Sequence, residues 1–137
     1  MLKFEPLSPH LERAYLHNKR MVVYKFSSAA HPVIDHWFED FLAHLQNASP
    51  DKPFLMLCDV SHANLVLNPY VRTRTVEMTQ QRPEIPGRIA AVVGKSISGH
   101  LLKGFFRLLN SSRNQRQREV FFTVEEAVRW LEEALPR

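Results

Sequence analysis

Phe54-Leu55-Met56-Leu57-Cys58-Asp59-Val60-Ser61 follows a proline and is followed by polar residues. A run of apolar or weakly polar side chains closing on an aspartate reads as a strand buried on both faces. A central strand of a parallel sheet needs that pattern, because helices cover it from both sides. The other segments can be placed around it.

Upstream, Ile34, Phe38, Phe41 and Leu45 recur at spacings of four, three and four, which predicts one face of an amphipathic helix over 33–48. Pro32 suits its first turn, where a missing N–H costs nothing, and Trp37 and Leu42 widen the apolar face. Asp35, Glu39 and Asp40 fall on the opposite side near the helix start, where the dipole favours negative charge. Before the helix, 11–17 and 21–26 read as a hairpin across Asn18-Lys19-Arg20, its first strand at the sheet edge. Residues 1–11, with two prolines, read as an irregular N-terminal arm ahead of a single domain over 12–137.

Downstream, Asn68-Pro69 opens a polar helix to about Gln81 with Val71, Thr75, Val76 and Met78 as its packing candidates. Arg88–Val93 is the next buried strand. A third helix over 99–109 carries Leu101, Leu102, Phe105, Phe106, Leu108 and Leu109, more than one face can hide. Asn110–Gln117 reads as a polar loop and Glu119–Phe122 as a short strand. Thr123-Val124-Glu125-Glu126 is a capping box that starts the last helix. Strands alternating with helices imply an α/β fold with a mostly parallel sheet and an antiparallel strand at one edge. Sites in such sheets lie beyond the carboxyl ends of the strands.

A chain of 137 residues holds one core. The opening residues lack the apolar centre of a signal peptide and no apolar run approaches a membrane span, so a cytoplasmic protein is expected. Cys58, the single cysteine, reads as a small buried hydrophobe. The net charge of +4 is unevenly placed: residues 72–118 hold ten Lys/Arg against two Asp/Glu. Arg72, Arg74, Arg82, Arg88, Lys95, Lys103, Arg107, Arg113, Arg116 and Arg118 are expected to form a solvated positive surface that attracts an acidic partner or an anionic membrane. Nucleic acid is not expected, since no aromatic residues interleave with these cations.

Three places carry a family resemblance. Asp59-Val60-Ser61 is similar to a strand-end Asp-x-Ser, Gly87–Gly94 looks like the strand that follows it, and Val120–Leu131 resembles a closing strand and helix. Together they resemble the STAS/SpoIIAA-like superfamily, the fold of anti-sigma-factor antagonists, over roughly 12–135. The resemblance implies a SpoIIAA-like sandwich, a mixed, mostly parallel sheet of four to five strands with about four helices. It implies a non-enzymatic binding or regulatory module. In that family the second helix opens with phosphorylated serines; here Leu67-Asn68-Pro69-Tyr70 offers neither serine nor threonine, so no such switch is expected. Lipid ligands are implied by a related branch of the fold.

Two clusters carry the candidate chemistry. Lys95, Ser96, Ser98 and His100, in a strand-to-helix turn whose N–H groups suit an anion, are extended by Lys103 and Arg107 into an anion or ligand site. Asp59, Ser61, His62 and Asn68 form a polar cluster at a strand end. The expected function is recognition of a protein partner or a small anionic or lipidic ligand near the second and third helices. The surplus apolar surface of the third fits a homodimer face or a lipid contact. The alternative is an enzyme acting on a phosphorylated or carboxylated substrate at the Gly94–His100 turn, with Asp59, Ser61 and Lys95 converging. Gly94-Lys95-Ser96 is not a P-loop, because Ile89 stands where a glycine is required. No catalytic residue, metal site or cofactor is assigned. The seven histidines include no pair at ligand spacing on one helix face.

Overall fold

The computed structural model describes residues 2–63, 69–95, 97–110 and 116–136, with the side chains of 97–99 outside that set. The strands are β1 Glu5–Ser8, β2 Leu11–Leu16, β3 Met21–Phe26, β4 Phe54–Asp59, β5 Gly87–Val92 and β6 Arg116–Phe121. The helices are α1 His31–Gln46, α2 Pro69–Gln80, α3 Ile97–Asn110 and α4 Val124–Glu132.

The sheet order is β1-β2-β3-β4-β5-β6, antiparallel through β3 and parallel from β3 to β6. Each parallel crossover steps to the next strand in one direction, and because such crossovers are right-handed, α1, α2 and α3 share one face. The last helix crosses to the other. Pleating then divides β4: Met56 and Cys58 pack with α1 and α2, while Leu55 and Leu57 pack under Ala127 and Leu131 of α4. All six β4 residues are buried, as a central strand demands. A sheet wound in one direction has no topological switch point, so the crevice of doubly wound folds has no counterpart here.

Six strands form where four to five are expected. The additional one is β1, in the stretch read as an irregular arm, and it displaces β2 from the edge. Pro6 is compatible with it because an edge strand leaves one row of N–H groups without a ladder role. At the other edge, β6 begins at Arg116 and takes in residues assigned to a polar loop. Pro32 lies in the first turn of α1, and its buried stripe is Val33, Ile34, Trp37, Phe38, Phe41 and Leu45.

Thr123 caps α4: its hydroxyl accepts the Glu126 N–H at 3.2 Å and donates to the Glu126 carboxylate at 2.9 Å. The returning arm of the box therefore closes on the hydroxyl. Thr123→Ala should cost about 1 kcal/mol, read as a lower midpoint in urea.

Candidate functional site

The strand-end cluster folds back on itself. Asp59 Oδ1 accepts the Ser61 N–H at 3.1 Å and its hydroxyl at 2.6 Å, a local turn that satisfies a buried carboxylate. His62 is exposed, and Asn68 lies outside the described residues. In the Gly94–His100 turn, Lys95 Nζ sits 6.0 Å from the centre of the Phe122 ring, and the His100 ring meets the same ring at 5.8 Å. Ser96 and the Ser98 side chain lie outside the described residues. Arg107 is exposed and Lys103 half-buried on α3. Among the described residues no hydrogen bond joins Asp59 or Ser61 to Lys95, so the two clusters remain separate.

The expected positive surface is corrected by the structure, because most of its arginines are occupied within the fold. Arg82 Nη1 donates to the carbonyls of Leu45, Gln46 and Ala48 at 2.9, 3.3 and 3.0 Å, closing the C-terminus of α1. Arg88 donates to the Trp130 carbonyl of α4 at 2.6 Å. Arg116, fully buried, donates to Met78 and Gln81 at the end of α2 at 3.0 and 2.7 Å, and to Arg82 and Ile85 at 2.8 and 3.1 Å. A helix C-terminus has unpaired carbonyls and a partial negative charge, so a guanidinium fork answers both. Arg118 is also buried, at 1% exposure, yet among the described residues its guanidinium makes one hydrogen bond, to the Arg116 carbonyl at 2.7 Å. Burial, followed by the charge of Arg116, holds its pKa down to about 10. Arg72, Lys95, Lys103 and Arg107 remain at the surface, and Arg113 is outside the described residues.

Arg74 joins a clasp between α1 and α2. Its Nη2 donates to Asp35 at 3.0 Å, its Nη1 to Glu77 at 3.0 Å, and the Tyr70 hydroxyl donates to the same Asp35 oxygen. The Tyr70 bond first and Arg74 with it hold the Asp35 carboxyl below its ordinary range. His31 stacks on Tyr70 with ring centres 3.8 Å apart.

Behind the clasp lies a crevice of about 70 Å³ between α1, α2, α3 and the sheet, walled by Trp37, Cys58, Met78, Ala91 and Phe106, with Arg74 also lining it. Its lining is almost wholly apolar. Burial pushes the Cys58 thiol up, which keeps it neutral as a packing group. Trp37 is more than nine-tenths buried; its indole N–H faces the Cys58 sulfur, a weak acceptor, and makes no well-formed hydrogen bond among the described residues. The outer wall, α3, buries Leu102 and Phe106 in a small cluster with Ala91, Val93 and Val120, and leaves Leu101 58% and Leu108 72% exposed. The surplus of apolar residues on this helix was readable in the sequence. Trp37 and Arg74 were not: one read as the margin of a packing face, the other as one of many surface cations.

Among solved structures the architecture is similar to that of an uncharacterised protein of the DUF3478 family from Shewanella loihica PV-4, described as having a SpoIIAA-like fold. The TM-score is 0.57 at 14% sequence identity, covering 96% of this chain and 92% of that one. The fold is SpoIIAA-like. At that identity the likeness concerns the path of the chain alone. No protein-family model and no curated protein matches the sequence. Within this SpoIIAA-like fold, Asp59-Val60-Ser61 closes β4, and α2, where the resemblance places a phosphorylated serine, begins at Pro69-Tyr70. No helix among the described residues is long and apolar enough to cross a membrane.

Proposed function

We propose that this SpoIIAA-like chain is a non-catalytic binding module whose crevice between the second and third helices takes the apolar part of an acyl-like ligand bearing an anionic or carbonyl head. The observation that carries this is the pairing of an apolar crevice with a buried Trp37 N–H that has only the weakly accepting Cys58 sulfur beside it, and with the Arg74 guanidinium on the crevice lining. A buried donor without a strong acceptor costs stability, and a ligand oxygen removes that cost. The crevice is far smaller than an ordinary ligand pocket, so occupation requires α3 to move outward. Among the described residues that helix buries two large side chains, Leu102 and Phe106.

The enzyme alternative finds less support, since among the described residues Asp59 and Ser61 are bonded to each other and to no cation. A protein partner on α3 is favoured only by the exposure of Leu101 and Leu108.

Dibromostearate supplies the test, because bromine quenches a neighbouring indole. In Trp130→Phe protein the remaining emission belongs to Trp37 and should be quenched saturably. Ala91→Leu, which adds bulk beneath α3, should weaken that binding at least tenfold while the cooperative melt is kept. Quenching that is absent, or indifferent to Ala91→Leu, would remove the basis of this reading.

A further inference from the structure

A larger concavity of about 660 Å³ lies at the other end of the sheet, between the β2–β3 turn, the last two turns of α1 and the loop leading into β4. Four cations line it, Arg13, Lys19, Arg20 and Lys52, against the carboxylates of Asp40 and Asp51. Which of these charges are already matched decides what the cleft can hold.

Arg13 and Asp40 are matched to each other at 2.6 Å; Arg13 also meets Glu5 at 2.7 Å, and Asp40 accepts the buried Tyr24 hydroxyl at 2.5 Å. His44 is engaged through both ring nitrogens, Nδ1 with the Asp40 carbonyl at 2.7 Å and Nε2 with the Tyr15 hydroxyl at 2.6 Å. These groups form a tied floor. Lys19, Arg20 and Lys52 then face Asp51 alone, an excess of two positive charges. Lys19 Nζ rests 5.4 Å from the centre of the Tyr15 ring, and Arg20 Nη2 is buried with no hydrogen-bond partner. A buried guanidinium nitrogen without an acceptor is costly in the empty protein, and an arriving oxyanion relieves it.

The turn that presents two of these cations is itself held in an unfavourable form. His17, Asn18 and Lys19 all adopt left-handed backbone, at φ of 55, 55 and 66°, which non-glycine residues enter at a cost. The Arg20 N–H donates to the His17 carbonyl at 3.1 Å, and the His17 ring is tied to Glu132 of α4 at 2.7 Å. Such conformations persist where the surroundings over-determine them, and they concentrate at binding sites.

We infer that this cleft is a binding site for a phosphoryl dianion carried by a small molecule or by a lipid headgroup, with Arg20 as the fork and Lys19 and Lys52 as the flanking charges. A phosphoryl group near neutral pH carries the charge that the cleft lacks, and guanidinium geometry matches its oxygens. The volume suits a molecule the size of a sugar phosphate or nucleotide. This site is separate from the crevice beneath α3 and does not depend on it.

The test uses the intact chain at low salt with two probes, inorganic pyrophosphate and phosphatidylcholine vesicles containing phosphatidic acid. Saturable pyrophosphate binding is expected, with the backbone amides of Arg20 and Lys52 shifting in the NMR spectrum. Arg20→Met and, on the exposed loop, Lys52→Ala should each weaken it at least tenfold, while Lys3→Ala, exposed and outside the cleft, should leave it unchanged. Pyrophosphate binding without vesicle retention assigns a free phosphate ester; retention on vesicles that pyrophosphate displaces assigns a headgroup. Binding of neither probe, or binding that survives both Arg20→Met and Lys52→Ala, overturns the inference.

Discussion

Arg116→Met should lower stability by about 4 kcal/mol, whereas Arg118→Met, two residues along the same face of the same strand, should raise it by about 1 kcal/mol. The difference lies in what each guanidinium touches. Arg116 supplies donors to four carbonyls at the end of α2 and in the loop after it. Methionine fills the volume but leaves those acceptors dry and unpaired. The loop also contains Arg82 in left-handed backbone at φ 41°, a geometry that this bonding helps to hold. Arg116→Lys should recover only part of the loss, because one ammonium cannot span both the helix end and the loop.

Arg118 is equally buried, but among the described residues its guanidinium has one acceptor, and its Nε and Nη2 have none. An apolar side chain of similar length removes an unmatched charge without leaving an orphan. The pH dependence has a definite sign. With its folded pKa held down to about 10, the unfolded chain keeps this proton more tightly than the folded one. Its contribution to stability therefore rises as pH climbs above about 10, and Arg118→Met should abolish that rise. Urea titrations of both variants at neutral and alkaline pH read all of this. A loss of several kcal/mol in Arg118→Met would mean that the native protein holds a partner for that guanidinium.

These two arginines also show where sequence reading ends. The buried run of β4, the periodicity of α1 and the Thr123 box were legible because each signal is local: a face, a turn, a cap. Arg-Gln-Arg-Glu gives no such signal, and a charged residue defaults to water unless its acceptors are known. Those acceptors stand more than thirty residues upstream, on a helix end that the crossover brings beside β6. The same holds for Arg82 and Arg88, each assigned to a helix terminus distant in sequence. The strand β1 was hidden for a different reason. The prolines at 6 and 9 read as irregular chain, and the edge position reconciles Pro6 with pairing. Of the candidate site, the apolar excess of α3 was visible, while the cavity it closes depends on how three crossovers share one face. The cleft formed by Lys19, Arg20 and Lys52 joins a hairpin turn to a loop across α1, and nothing in either segment alone announces it.

Gly87→Ala should cost at least about 3 kcal/mol, while the same change at Gly104 should stabilise by about 1 kcal/mol. Gly87 opens β5 opposite Phe54, and the Phe54 N–H donates to the Pro86 carbonyl at 2.8 Å. A Cβ at Gly87 would fall onto the Phe54 backbone, its carbonyl oxygen first, with no flexible side chain able to give way. Relief requires the amino ends of β4 and β5 to separate. That opening breaks the Phe54–Gly87 register of β4 and β5 and loosens the loop that Arg116 holds, so the two losses should be less than additive in the double variant. Gly104 is exposed within α3 and a Cβ there meets nothing within 4 Å, leaving only the gain in helix propensity. Thermal melts of the two variants separate a contact effect from a backbone one. Equal, small shifts in both would mean that β4 and β5 can part at their start without cost, and the pairing of Phe54 with Gly87 would then not be what sets the register of the central strand.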